Sequence, residues 1–400
     1  MPTGISRLAT VVALATAAPL VTGQVSRADT PPPASAVRHS HAIPGRYIVV
    51  LKDPTLSARS VADEGARLAR AHGGTVRHTY GTALKGYAAA MTSGQAGRVA
   101  ADAQVAYVQQ DTEVQGSAVQ SDPPSWGLDR VDQRALPLDR SYGYATTADR
   151  VTAYVVDTGV RTSHTQFGGR ASVGVDEIGD GHDGQDCAGH GTHVAGTIGG
   201  KDYGVAKSVK LVSVRVLKCD GKGSSSSIIA AADWITAHAA KPAVVNMSIN
   251  GTRNSAEDSA IKKSIASGIT WVVSSGNKNT DACDNSPGDI GPALVVNNST
   301  ADDKRRSDSN YGACTDLFAP GSGIASAWNT GDTDTHTLGG TSMAAPHVTG
   351  AAALYLAAHP DASPAEVHQA LIDSATPGRI SAPGSGTPNR LLFTGGQGTP

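Results

Sequence analysis

Two hydrophobic periods divide the chain. From Arg46 the apolar positions first run together as RYIVVLK, a strand, then recur at helical spacing over 56–71 until Gly73 and Gly74 end the pattern. Strands at 76–80 and 86–91, a helix near 95–103 and a strand at 105–109 complete a βαββαβ order. Downstream, short apolar runs at 151–156, 211–216, 243–247, 270–273 and 293–296 alternate with helical stretches such as 226–238 and 256–266. Apolar strands joined by crossover helices imply an α/β domain with a mostly parallel sheet. From Met343 the chain is small and apolar, AAPHVTGAAALYLAA, which reads as a buried helix. There is no internal repeat.

The N-terminus fits neither pattern. After Arg7 an apolar run over 8–21 is too short to span a bilayer and sits where a secretory signal belongs. A Pro-rich linker, PPPASAVRHSHA, follows it. The expected organisation is a signal peptide over 1–28, a linker and small α+β domain over 29–117, and a main domain over 118–400. No other segment is long and apolar enough for a membrane. With 46 glycines and 4% aromatic residues, the backbone must pack closely through small side chains. Lys and Arg (33) nearly balance Asp and Glu (35), and no basic run or stripe argues for nucleic acid. Cys187, Cys219, Cys283 and Cys314 lie downstream of an export signal, which favours disulfides. Four cysteines allow three pairings. Zinc is the rival reading, but no C-x-x-C pair supports it.

Three glycine-flanked stretches carry the candidate chemistry. Gly339 and Gly340 let the backbone turn into Thr341 and Ser342, setting a hydroxyl at a helix start. Free N–H groups and the helix dipole there favour developing negative charge. A serine still needs an adjacent base to act as a nucleophile. The strand over 151–156 ends in Asp157-Thr158-Gly159, and ligands of open α/β sheets sit beyond such strand ends. Gly189-His190-Gly191-Thr192-His193 places an imidazole at another helix start. His190 and His193 as a zinc pair would need an H-E-x-x-H motif, which is absent.

Asp, His and Ser in this chain order resemble the motifs of the subtilisin-like serine peptidases. The resemblance implies a three-layer subtilisin-like domain preceded by a ferredoxin-like inhibitory propeptide, hence a secreted, self-processing endopeptidase of broad specificity. It assigns Ser342 as nucleophile, His190 as general base, Asp157 as its orienting partner and Asn277 as oxyanion donor; His193 would pack locally. An extended polypeptide substrate would lie between Gly221-Lys222-Gly223 and Ser248-Ile249-Asn250, with Ser275 and Gly276 opposite. The polar tail EVQGSAVQS reads as an extended segment suited to the cleft and to cutting there. The propeptide would serve as inhibitor and folding aid, and the mature chain as a monomer free of membrane.

The proteinase K-like branch, and aqualysin most closely, further implies Cys187–Cys219 and Cys283–Cys314 pairs. The segment LDRVDQRALPLDRSY resembles a calcium loop of that group, with Asp129, Asp132, Gln133, Asp139 and Ser141 as oxygen ligands. Salt bridges of these acids to Arg130 and Arg134 are the alternative. A second calcium site, Asp316 with the carbonyls of Gly291 and Ala293, rests on resemblance alone. The chain departs from the family at Asn250, where glycine is usual, and at Ser274 and Ser275, where alanines are usual. An Asn250 side chain leaning over the pocket mouth would narrow it and favour small or polar residues before the scissile bond. Two other readings remain. An α/β-hydrolase esterase would use the Gly340-x-Ser342-x-Ala344 elbow, but needs its acid and histidine after the serine. A non-catalytic binding protein would not need all three triad residues and Asn277.

Overall fold

The structure is a computed structural model that describes residues 42–112 and 118–395. The expected signal at 1–28 and the linker up to residue 41 lie outside the described residues. Contacts divide the chain into a small unit over 43–111 and a large one from Thr112 onward.

The small unit runs β1 (Ala42–Leu51), α1 (Ala58–His72), β2 (Thr75–Tyr80), β3 (Gly86–Ala90), α2 (Ser93–Ala100) and β4 (Val105–Thr112). Its sheet has the order β2-β3-β1-β4. Both helices start on polar caps: Ser57 Oγ accepts from Ser60 N, and Thr92 and Gln95 form a capping box. Val61, Gly65 and Leu68 of α1, spaced four and three apart, turn inward. They meet Val49, Leu51, Tyr87 and Val105 in one core, which supplies the burial a domain this small needs.

The large unit opens with β5 (Ala118–Ser121), α3 (Trp126–Val131), β6 (Ser141–Tyr144), β7 (Thr152–Asp157), β8 (Ala171–Asp176), α4 (His190–Gly199), β9 (Lys210–Arg215) and α5 (Ser225–His238). It continues with β10 (Ala243–Met247), β11 (Gly251–Thr252), α6 (Ser255–Ala266), β12 (Thr270–Ser274), β13 (Asn285–Ser286) and β14 (Leu294–Ser299). Last come β15 (Leu317–Pro320), β16 (Ile324–Ala327), β17 (Thr335–Leu338), α7 (Thr341–Ala358), α8 (Pro364–Ser374), β18 (Thr376–Pro377) and β19 (Arg390–Leu391). Nine strands form the main sheet in the order β18-β19-β15-β14-β12-β10-β7-β9-β8. The pairs from β19 to β8 are parallel, and β18 closes one edge antiparallel.

Alternation along the strands makes two cores. Ala153 and Val155 of β7 join Val244, Val272 and Val296 on the face covered by α4 and α7. Tyr154 and Val156 join Val245, Val273 and Ile235 on the opposite face, under α5 and α6. Burying each such side chain contributes about 1.5–3 kcal/mol, so the sheet is held from both sides. That is the three-layer α/β arrangement.

Two expectations change here. The last four residues of EVQGSAVQS are β5, paired with β6 from Ala118↔Tyr144 to Ser121↔Ser141, so they are sheet rather than free tail. Residues 113–117 lie outside the described residues. Asn297 and Asn298, which read as following a strand, lie inside β14.

Candidate active site

The site follows from strand order. After β7 the chain builds β8 and β9 on one side, then β10, β12, β14 and β15 on the other. Such a reversal leaves a crevice at the carboxyl ends of the strands. Asp157 is the last residue of β7, Ser248–Asn250 follow β10, and Ser275–Asn277 follow β12. The register Val156↔Met247↔Val273 sets these three ends side by side. Helices α4 and α7 pack together on one face, and each starts with a candidate residue.

His190 opens α4 behind Gly189, whose φ of 102° suits glycine alone among ordinary residues. A Cβ on Gly189 would also strike the Trp328 ring, and one on Gly191 the Gly159 carbonyl. The His190 ring donates through Nδ1–H to Asp157 Oδ1 at 2.7 Å. Asp157 is fully buried, while the His190 side chain is 30% exposed. Asp157 Oδ1 also accepts from Thr158 N at 2.7 Å, and its Oδ2 is buried without a protein partner. Burial pushes the His190 imidazole down, but the charges of Asp157 and Asp186 and the Asp157 hydrogen bond more than reverse it. The net shift is upward, so the ring is a stronger base than a free one.

His193 differs. It is fully buried, its Nε2 sits 2.9 Å from Ile324 O, and burial pushes it down to about 3. That ring is spoken for.

Ser342 stands in the first turn of α7. Pro346 lies four residues on and has no N–H, so the Ser342 carbonyl lacks its usual helical donor. Ser248 Oγ supplies one instead, at 2.9 Å. A buried relay backs it: Thr349 Oγ1 donates to Asn246 Oδ1, and Asn246 Nδ2 donates to Ser248 Oγ at 2.9 Å. The Ser342 hydroxyl donates to the Ser248 carbonyl at 3.2 Å rather than to His190. Catalytic hydrogen bonds often tighten only with substrate bound.

Asn277 reaches the same turn. Its Oδ1 accepts from Thr341 N at 2.8 Å and Thr341 Oγ1 at 3.1 Å. An amide anchored by its oxygen presents its NH₂ group beside Gly340 and the open N–H groups of α7.

The flanking segments are ordered by turns. Lys218 N donates to Lys222 O, Gly221 N donates to Lys218 O, and Gly221 has a φ of 74°. Leu217 and Gly223 form an isolated bridge, leaving 219–223 exposed. Asn250 does not hang free over a mouth. Its Nδ2 donates to Ser274 O at 2.7 Å, and Ser274 Oγ donates back to Asn250 Oδ1 at 2.9 Å. This two-point latch joins the segment after β10 to the one at the end of β12. Ser275 Oγ is buried without a protein partner.

The candidate metal ligands separate into two places. Asp129 Oδ1 accepts from Gln133 Nε2 and Asp139 N, and its Oδ2 accepts from Arg140 N. Asp139 Oδ1 accepts from Ser141 N and Oγ. Asp132 Oδ2 accepts from Gly143 N at 2.6 Å, but Oδ1 is buried without a protein partner. Burial, with the charges of Asp139 and Asp129, pushes Asp132 up to about 6. Arg130 and Arg134 do not relieve these acids. Arg130 pairs with Asp303, and Arg134 stacks on Phe393 and bonds Ser374 O. At the second place, Asp316 Oδ2 accepts from Val295 N at 2.8 Å, and Oδ1 lies 3.2 Å from His368 Nε2. His368 was not foreseen there. Among the described residues, the three His, Cys or acid ligands that come within 4.8 Å of one another are His182, Cys187 and Cys219. Two of them are already joined, since the disulfides are Cys187–Cys219 and Cys283–Cys314. No helix among the described residues is long and apolar enough to cross a membrane.

The chain is similar to known proteins. The model of the subtilase family matches residues 149–398, and that of the peptidase inhibitor I9 family matches 46–117. The chain is 48% identical to the extracellular serine proteinase of Thermus sp. (strain Rt41A) over 395 residues, covering 92% of this chain and 96% of that one. It is 42% identical to the alkaline serine exoprotease A of Vibrio alginolyticus, covering 88% of this chain and 68% of that one. Among solved structures, a cold adapted subtilisin-like serine proteinase superposes with a TM-score of 0.66 at 48% identity. That match covers 67% of this chain and 97% of the other.

Proposed function

The chain belongs to the subtilase family, and we propose that Asp157, His190 and Ser342 are its triad and Asn277 its oxyanion donor. It is a secreted serine endopeptidase of the subtilisin kind, made with an inhibitory propeptide. The observation that carries the assignment is the 2.7 Å His190–Asp157 bond, with α4 packed on the helix that carries Ser342 in its first turn. Ser342 attacks the scissile carbonyl and forms an acyl-enzyme. His190 takes the hydroxyl proton and returns it to the leaving amine, while buried Asp157 holds the ring and stabilises its charged form. The oxyanion that forms is met by Asn277 Nδ2 and the Ser342 N–H. Substrate lies extended between 221–223 and 248–250, held by main-chain hydrogen bonds that suit many sequences. The mature chain acts as a monomer. The test is labelling by a fluorophosphonate: the natural chain is expected to react at Ser342, and His190→Ala to lose the reaction. Labelling at another residue refutes the assignment.

We also propose a place in the proteinase K-like branch, near aqualysin, supported by the two disulfide pairs and the 128–142 segment. In that segment Asp129, Asp132, Gln133, Asp139 and Ser141 would hold calcium. The orphaned Asp132 oxygen, near the charges of Asp129 and Asp139 and with no arginine relief, fits a cation that neutralises the three acids. The ion's contribution would be structural. Asp316, Gly291 and Ala293 would form a second site only with His368 drawn aside. A chelator is expected to lower the melting temperature more than initial activity, because a ligand bound only by the native state stabilises it. Asp132→Asn should abolish that response at the first site. An unchanged melting temperature after exhaustive dialysis against chelator would count against both sites.

For specificity, we propose that the Asn250–Ser274 latch and the Ser275 hydroxyl reduce the usual preference for large apolar residues before the scissile bond. The walls are tied and polar where the family resemblance implies glycine and alanine. A methylene-sized change in a pocket is worth about 1–3 kcal/mol, so a shift of preference is expected, not a switch. Across peptides varied at that position, Asn250→Gly should gain kcat/KM for Phe and Leu relative to Ala and Ser. Identical profiles for the two chains would remove Asn250 as a determinant.

A further inference from the structure

Asp186 takes no part in the chemistry above, yet it knits the two halves of the His190–Asp157 pair together. Its Oδ1 accepts from Thr158 Oγ1 at 2.9 Å, Ala188 N at 2.9 Å and Gly189 N at 2.8 Å. Its Oδ2 accepts from Thr192 N at 2.9 Å and Thr192 Oγ1 at 2.6 Å. Thr158 follows Asp157 directly, and its Oγ1 also accepts from Gly191 N at 2.9 Å. Gly189, Gly191 and Thr192 surround His190 in sequence. Helix α4 has no cap from its own N-cap residue, Gly189, so Asp186 performs that service from the preceding loop.

We propose that Asp186 is a positioning residue for His190: it fixes the first turn of α4 against the end of β7, and its negative charge favours the protonated imidazole that forms during attack. The inference rests on His190 being the base. An acid that only capped the helix would change stability and leave the pH profile alone. The charge of Asp186 does act on the ring, adding to that of Asp157 in raising its basicity against burial. The other charged or titratable groups about His190 are His193 on its own helix, Arg215 of β9, which reaches Thr158 O, and His336 of β17 beyond His193. From α7 come Ser342 and His347, the latter turned into the core against Gly127.

The experiment is the rate of fluorophosphonate inactivation as a function of pH, on secreted chain matured where needed by a trace of natural enzyme. Asp186→Asn is expected to lower the plateau rate by about 10–100-fold, a modest share of what a general base supplies. Its acid limb should move to lower pH, because a ring without the second carboxylate loses its proton more easily. Thr158→Val keeps the charge and removes the tether, so its plateau should fall while its limb stays in place. An Asp186→Asn limb that coincides with the natural one overturns the proposal. Should that variant fail to fold, a natural plateau in Thr158→Val overturns it as well. Labelling that survives in His190→Ala would sink the base assignment itself, a separate outcome.

Discussion

Ser342→Ala is expected to lower peptide hydrolysis by about 10⁶-fold and to leave the secreted chain uncut ahead of Ala118. The magnitude is the one known for loss of the triad serine in subtilisin, a relative. Loss of hydrolysis follows from removing the hydroxyl proposed to form the acyl bond. Loss of maturation follows if the segment before β5 is cut by the same serine within the same molecule. The structure is consistent with a cut there, since β5 is paired into the large unit from Ala118 onward. Fold should survive, because the Ser342 contact that matters structurally is its backbone carbonyl, which accepts from Ser248. The measurement is mass spectrometry of protein secreted from a host without other extracellular proteases. An alanine chain that arrives trimmed near residue 118 would show that another protease matures it.

The second large effect is at Asn277. Asn277→Ala should lower kcat by about 10²–10³, a magnitude set by the equivalent donor in subtilisin, with KM little changed. A donor aimed at an oxyanion contributes only once the charge has formed, so the loss belongs to the transition state. Anchoring complicates the alanine variant, because Thr341 N and Oγ1 both donate to Asn277 Oδ1. Asn277→Asp keeps that acceptor and replaces the NH₂ donor by charge. It should lose at least as much turnover while keeping the melting temperature of the parent. If the aspartate variant retained full kcat, the anchor and not the donor would be what Asn277 provides.

Much of this is legible in the sequence. The strand through Ala153–Val156 is an unbroken apolar run, and glycine-flanked Asp157, His190 and Ser342 each sit near an element end, so a candidate site could be read from order alone. What escaped depends on partners far apart in sequence. The Asn250 latch needs Ser274, and the Asp316 contact needs His368; neither pair has a periodic signature. The run over 293–296 continues as strand through Asn297 and Asn298 to Ser299, although polar residues rarely extend a buried strand, because Thr315 and Ser322 supply partners. One signal was available and missed. Pro346 four residues after Ser342 announces a carbonyl that needs a donor from elsewhere, which points to Ser248.

The polar run through β14 bears on how this enzyme can be made tougher. Asn297 Oδ1, Asn298 Nδ2 and Ser299 Oγ are buried and find no protein partner. A stranded polar group of that kind costs about 1–3 kcal/mol, comparable to what a helix cap or a filled cavity contributes. The strand lies in the middle of the sheet, between β12 and β15 and away from the triad strand β7. Three such groups in succession make one central strand a place where stability can be raised, and a designer could work there without substituting any residue of the catalytic crevice.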